Sequence, residues 1–282
     1  MIPDDFSFSQ TSLQDFADCP SRFDLRYLKR VNTPAAESEP LEAVEAHMQR
    51  GAVFHSLIHQ LLIGVPPDEI AATIPPDDDA LAGWWGAFLD TGLRDLPEQR
   101  TPEITLTTTL AGRRLVAKYD LLAVSPGAAL VIVDWKTALT RPSHDALLKR
   151  LQTRVYRLVL VEAGARLNGG QPVQPEQVKM IYWFAGFPDQ PEVLAYSAAE
   201  YAADRTYLAA LIDDIDQRGA DDFPLTDDVR RCAYCQYRGL HDRGTVAGDF
   251  RAADAERVDA AAEAPDDGDT GFTLDQIAEI AF

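Results

Sequence analysis

Asp134 and Lys136 stand two residues apart at the end of the apolar run "ALVIVDWKT" (129–137). Side chains alternate along a strand, so the carboxylate and the ammonium share one face and Trp135 takes the other. The preceding β-rich run, "LVAKYDLLAV" (115–124), carries Asp120. If the two runs pair as a hairpin, Asp120 comes close to Asp134. Two carboxylates and a lysine at a sheet end make a hard, oxygen-rich site suited to Mg2+ or Mn2+. Such an ion can polarise a phosphoryl group and activate water. The lysine can stabilise the negative charge that develops. Alone, D-x-K is a weak motif that reads equally well as an ion pair at a strand end. A strand end is expected to be exposed, so replacing Asp134 should leave no core cavity.

A second constellation lies late in the chain. "CAYCQYRGLH" (232–241) holds Cys232 and Cys235 in a C-x2-C, and the third and last cysteine is Cys19. Two thiolates do not close a four-ligand metal site. Three cysteines are too few for a disulfide framework, so a reducing, cytoplasmic setting is expected. His55 and His59, four apart, could suggest a zinc pair, but no nearby thiolate or third histidine completes it.

The elements that must position these groups follow from pattern. Residues 7–30 read as a short helix after a Ser/Thr cap, broken or restarted at Pro20. Residues 31–40 read as a linker, 41–63 as an amphipathic helix ending at Gly64, and 65–102 as a helical insertion punctuated by Pro and Asp. Three β-rich runs follow, 104–110, 115–124 and 129–137, with "AGRR" and "SPGA" as turns. Residues 143–164 read as a helix capped by Ser143 and stopped by Gly164. It carries Gln152 and Tyr156 one turn apart on one face. A buried strand (178–186) and a helix (197–218) complete the order β-β-β-α-β. A meander with one crossover gives an α/β fold with a mixed sheet flanked by helices. One domain over 1–245 is expected, with 246–282 as an acidic, disordered tail ending in a short amphipathic helix.

The formal net charge is −19, which looks hostile to phosphates. The tail from 246 to 282 contributes ten acidic and two basic residues, −8 of that total. Basic residues cluster elsewhere: Arg22, Arg26, Lys29 and Arg30; Arg113, Arg114 and Lys118; Lys149, Arg150, Arg154 and Arg157; Arg230, Arg231, Arg238 and Arg243. Local patches decide where a phosphate sits, although any one cluster is more simply a solvated face. No apolar run is long enough to cross a membrane. "MIPDDFSFSQ" has no apolar h-region and is expected not to be a signal peptide.

"RGAVFH", "AKYD", "VDWK" and "QTRVY", in that order, resemble the PD-(D/E)XK nuclease superfamily. They are most similar to its RecB/AddB-type exonuclease branch, which includes the CRISPR-associated Fe–S exonucleases. "FSFSQTSLQDFADCPSRFDLRYL" resembles the opening motif of that branch. The resemblance spans roughly 6–241. It implies a restriction-endonuclease-like core with a C-terminal metal knot (223–245) packed against the Cys19 segment. It implies that His55, Asp120 and Asp134 bind the divalent metal and that Lys136 is the catalytic lysine. Gln152 and Tyr156 would support the site or the bound strand. Glu103 sits where relatives often carry an acidic residue, and Lys118 where many carry glycine. The resemblance further implies a 4Fe–4S cluster on Cys19, Cys232, Cys235 and His241. Because the fourth position is histidine, a structural zinc ion is the next reading and loss of the metal the third.

The expected activity is therefore a metal-dependent DNA nuclease on single strands or ends, in repair, recombination or CRISPR-type processing. Without a P-loop the chain has no motor, and a separate helicase or other DNA-processing partner is expected. The alternatives are a non-catalytic DNA-binding or scaffold module of the same fold, or a structural zinc protein.

Overall fold

The computed structural model describes residues 2–32, 39–232 and 235–242. Strand β1 (Ser7–Ser9) runs straight into helix α1 (Gln10–Asp18) through a reciprocal cap. Ser9 Oγ accepts from Ser12 N at 3.2 Å, and Ser12 Oγ accepts from Ser9 N at 2.9 Å. This satisfies two orphan donors of the first turn. The expected short helix after a serine cap is α1, and the three residues before it form a strand. Three residues of "SFS" become a strand because they find an edge of the sheet, which no local pattern announces. Pro20 opens the short helix α2 (Pro20–Phe23), as a proline at the first helical position can.

Helix α3 (Glu39–Leu62) ends at Gly64, whose φ is +102°. Helices α4 (Pro67–Ala71) and α5 (Asp79–Ala87) follow, and then the long strands β2 (Gln99–Leu110), β3 (Arg113–Ser125) and β4 (Ala129–Lys136). The helical segment thus stops before residue 99, and β2 begins earlier than its pattern suggests. Pro102 hides the start of the strand. It is tolerated because β2 pairs only with β3 and is an edge strand.

The crossover from β4 to β5 (Val178–Phe184) is two helices, α6 (His144–Lys149) and α7 (Leu151–Ala163). The expected continuous helix is interrupted at Arg150, which is extended (φ −60°, ψ 139°). Neither Pro nor Gly marks the break. Leu147 O accepts from Arg150 N at 3.2 Å, and Thr153 Oγ1 lies 2.6 Å from the same carbonyl. A short strand β6 (Glu192–Ala195) and the long helix α8 (Ala198–Asp216), capped by Ser197, complete the layers.

The six-stranded sheet has the order β1-β3-β4-β5-β6, with β2 on the other edge of β3. It is mixed: β1 with β3 and β4 with β5 are parallel, and the other ladders are antiparallel. The result is an α/β fold with a central mixed sheet flanked by helices. One face buries Leu130, Ile132, Met180, Tyr182 and Phe184 against residues of α1, α7 and α8. The other buries Val131, Val133, Trp135 and Trp183 against Phe54, Leu57, Trp85 and Phe88 from the α3–α5 layer. Even and odd positions of β4 thus feed different cores, as strand alternation requires. The expected tail, 246–282, lies outside the described residues.

Candidate active site

Two strands share one edge of β3. β1 pairs with residues 114–116 and β4 with residues 121–125. Asp120 falls in the gap between them. Extending the β3–β4 register by one step from Leu121–Val133 sets Asp120 opposite Asp134. The backbone N–H of Trp135 donates to Asp120 Oδ2 at 3.0 Å and fixes that carboxylate against the end of β4.

Helix α3 brings His55 to the same place. Gly51 makes its close approach possible, since a Cβ there would lie 2.8 Å from Thr137 Oγ1. His47 reinforces the contact, with Nε2 2.9 Å from Thr137 O. One turn beyond Gly51, His55 Nδ1 lies 3.5 Å from Asp120 Oδ2.

Asp134 is 2% exposed and Lys136 5%, so the strand end is buried, contrary to the expectation of an exposed one. Gln152 of α7 bonds to Asp134, and His47 and Gly51 of α3 close on Thr137 just beyond the strand. Lys136 Nζ lies 2.9 Å from Asp134 Oδ2. Gln152 Nε2 donates to Asp134 Oδ1 at 2.8 Å. Tyr156 packs beside them, its ring 5.0 Å from that of Tyr119.

The electrostatics separate the two carboxylates. Burial pushes the Asp134 carboxyl up to about 6; Lys136 opposes this, and the neighbouring Asp120 adds to it. Asp120 feels the same burial, but His55, the Trp135 N–H and Lys136 outweigh it and hold it below the usual carboxylate range. Burial pulls the His55 imidazolium down, yet Asp120 prevails and its pKa is raised. Burial also pushes the Tyr156 hydroxyl well up, so it is a neutral donor.

Among the described residues no three His, Cys, Asp or Glu side chains close into a ready-made coordination shell. At Asp134 the reason is visible, since the carboxylates are occupied by Lys136, His55 and a backbone N–H. The donor chemistry nevertheless fits a hard divalent cation. Asp134 Oδ2 is buried with Lys136 Nζ 2.9 Å away, and Asp120 stands beside it as a second carboxylate that raises its pKa. Two neighbouring carboxylates, one of them buried, are costly, and an oxygen-seeking cation would offset their charge.

Glu103 does not join this cluster. It stands on β2 with φ +50°, and its carboxylate pairs with Lys118 Nζ at 2.7 Å. The lysine that stands where relatives carry glycine is thus tied to the acidic residue of the first strand.

Residues 18–23 meet residues 223–241. Cys19 and Cys232 are buried and Cys235 is half-buried, all as free thiols. Burial pushes the Cys235 thiol up, and its neighbours Cys19 and Cys232 contribute to the rise. Ser21 N donates to Pro224 O at 3.1 Å, Phe23 stacks on Phe223, and Arg231 pairs with Asp18. His241 Nε2 is 3.2 Å from Ser21 Oγ, so His241 is engaged by the Cys19 segment.

Most of the basic clusters are spent on acidic partners. Arg22 and Arg26 pair with Asp15, Lys29 with Asp24, Arg113 with Asp216, Arg154 and Arg157 with Asp204, and Arg230 with Asp228. Arg243 lies outside the described residues. For these residues the plain reading, ion pairs that hold the fold, accounts for the sequence clusters.

Sequence reasoning missed Gly51, His47, Thr153 and Tyr182. Gly51 had a signal, a glycine inside a helical pattern next to a candidate ligand. Tyr182 had a fainter one, a hydroxyl inside the apolar strand "VKMIYWF".

Two solved structures give the range of likeness. One is a protein from Eubacterium rectale described as a candidate exonuclease, 12% identical, with 76% of this chain and 81% of that chain covered and a TM-score of 0.47. The other, called SSO0001, is 12% identical over 85% of this chain and 87% of its own, with a TM-score of 0.38. No curated protein matches the chain in sequence. The family model described as the PD-(D/E)XK nuclease superfamily matches residues 7–240, nearly the whole of the described fold, and on that match the chain belongs to the PD-(D/E)XK nuclease superfamily.

Proposed function

We propose that the chain is a divalent-metal-dependent phosphodiesterase that cleaves DNA, working as an exonuclease on single strands or ends. The observation that carries this reading is the buried group of Asp134, Lys136 and Gln152 beside Asp120 and His55, in a member of a nuclease superfamily. A nuclease needs a nucleic acid substrate, and nucleases of this superfamily typically use a divalent metal. Asp120, Asp134 and His55 are the residues that would hold Mg2+ or Mn2+. When bound, the ion supplies Lewis-acid polarisation of the scissile phosphate and lowers the pKa of attacking water.

The chain's own residues do the rest. Lys136 presents a fixed positive charge, with Asp134 on one side and the Tyr182 ring 5.8 Å from Nζ on another. Preorganised charge of this kind stabilises the pentavalent phosphorane-like state without reorganisation. Gln152 holds one oxygen of Asp134, and the other faces Lys136 Nζ at 2.9 Å. Tyr156, neutral in its buried seat, closes the site against water on the α7 side. The setting, whether repair, recombination or CRISPR-type processing with a separate helicase, rests on the motif resemblance alone.

The same reading assigns Cys19, Cys232, Cys235 and His241 to a 4Fe–4S cluster, with structural zinc as the alternative. Support comes from the charge contact of Cys235 with Cys19 and Cys232; among the described residues the three thiols and His241 do not form a ready-made metal cluster, and His241 Nε2 is engaged by Ser21. Such a group would tie the chain's two ends together and stabilise by closing a very long loop. Iron and zinc analysis of anaerobically purified protein separates the two. The nuclease reading is tested by incubating end-labelled single- and double-stranded DNA with the protein and Mg2+ or Mn2+. Shortening from labelled ends supports it, and intact DNA with both ions overturns it.

A further inference from the structure

Tyr182 sits one strand away from the candidate site, in exact ladder register with Asp134 across the parallel β4–β5 pair. It is fully buried, as is Thr153, and Gln152 is nearly so. A hydroxyl in such a place costs roughly 1–3 kcal/mol unless it is bonded, so its bonds show what it is for. Tyr182 OH donates to Gln152 Oε1 at 3.1 Å. Its oxygen also lies 2.7 Å from Thr153 Oγ1. Thr153 Oγ1 also lies 2.6 Å from Leu147 O, at the break between α6 and α7; with the Tyr182 proton on Gln152, the one Thr153 proton serves either Leu147 O or the Tyr182 oxygen.

A chain of contacts therefore runs from the α6–α7 break to the carboxylate: Leu147 O, Thr153, Tyr182, Gln152, Asp134. Its directionality matters. A glutamine amide has a donor end and an acceptor end. The Tyr182 hydroxyl, as donor, claims the acceptor end and so points the NH2 end at Asp134 Oδ1. Burial pushes the Tyr182 hydroxyl far up, so its proton is always present to donate. The Tyr182 ring meanwhile flanks Lys136. One side chain thus touches the partners of both Asp134 oxygens.

We infer that Tyr182, backed by Thr153, is a positioning residue that sets the amide orientation of Gln152 and thereby aims Asp134 at a divalent cation. This rests on the reading of Asp134 as a metal ligand. Outer partners that orient a ligating side chain commonly change metal affinity by about 10- to 100-fold when lost. Tyr182 acts one bond further out, so the lower end applies.

The test measures Mn2+ binding to the full chain, without DNA, by electron paramagnetic resonance. Tyr182→Phe removes only the hydroxyl and is expected to weaken Mn2+ binding about tenfold, with the thermal unfolding midpoint little changed. In a Gln152→Met background the same substitution is expected to have no further effect, because the two residues act as one unit. A purely structural tyrosine would give additive losses and unchanged Mn2+ affinity. Should Tyr182→Phe fail to fold, Thr153 carries the test: Thr153→Ser is expected to bind as wild type and Thr153→Val more weakly. Wild-type affinity in both Tyr182→Phe and Thr153→Val overturns the inference alone. Failure of the wild-type protein to bind Mn2+ overturns it together with the metal-site reading.

Discussion

Lys136 Nζ stands 2.9 Å from Asp134 Oδ2, and the two side chains are 6% and 4% exposed. Breaking such a buried pair costs about 3–5 kcal/mol, because a charge is left behind uncompensated. Lys136→Met is therefore expected to lower stability. The deficit depends on pH. Asp134 is already raised to about 6, and loss of the lysine raises it further. A buried acid with a raised folded pKa holds its proton while the unfolded chain releases it. Both proteins hold that proton up to about pH 6, so the deficit is smallest below it, grows from there upward as the wild-type carboxyl ionises and the variant's does not, and levels above the variant's folded pKa. Asp134→Asn combined with Lys136→Met, which leaves no charge behind at the pair, is expected to melt at or above the temperature of the Lys136→Met protein at every pH. Thermal unfolding across pH checks this; a deficit that shrinks with rising pH would contradict it.

Protons and cation compete for the same groups. A divalent ion needs Asp134 ionised and His55 neutral, and both hold their protons beyond the ordinary range. Mn2+ affinity is expected to climb through pH 6 and to keep climbing through the histidine range. His55→Gln should remove the upper part of that rise and leave the lower part. Titration calorimetry measures both; affinity that is flat between about pH 5 and 8 would count against both ligands.

Gly51 packs α3 against Thr137, the residue that follows β4. In Gly51→Ala the new methyl meets Thr137 Oγ1 at 2.8 Å, and the helix or the strand end must move. Overpacking of this kind costs about 1–3 kcal/mol. It should also weaken Mn2+ binding through displacement of His55. A variant with wild-type melting and wild-type affinity would show that the helix has room to shift.

The fold was legible where periodicity is strong. β3, β4, β5, α3 and α8 lie where the pattern puts them, within a few residues, and the crossover joins parallel strands as a meander with one crossover demands. What escaped depended on partners distant in sequence. "SFS" is strand only because β3 offers an edge at residues 114–116. Arg150 breaks a helix that has no local breaker. In the candidate site, Asp120, Asp134, Lys136 and Gln152 were named from strand alternation and motif, and the structure brings them together. Tyr182 and Thr153 were not, because their significance lies in hydrogen bonds across three elements. Burial of Asp134 was misjudged because a strand end looks exposed until α3 and α7 close on it.

The cysteine site has its own test. Protein purified without oxygen is expected to be brown and to contain iron. His241→Ala should make it more sensitive to oxygen, and Cys19→Ser should release the metal and loosen the contact between Ser21 and Pro224. Colourless protein with stoichiometric zinc would replace the cluster by a structural zinc ion on the same residues.

The central claim is that Asp134 is part of a metal-dependent nuclease centre. It is tested most directly by comparing wild type with Asp134→Asn on end-labelled single-stranded DNA in Mg2+ or Mn2+, with chelator as control. The account predicts progressive shortening from the ends by the wild-type protein and none with chelator. It predicts at least about a thousandfold slower cleavage by Asp134→Asn, which should remain folded. Equal cleavage by the two proteins, or cleavage that survives the chelator, would contradict it.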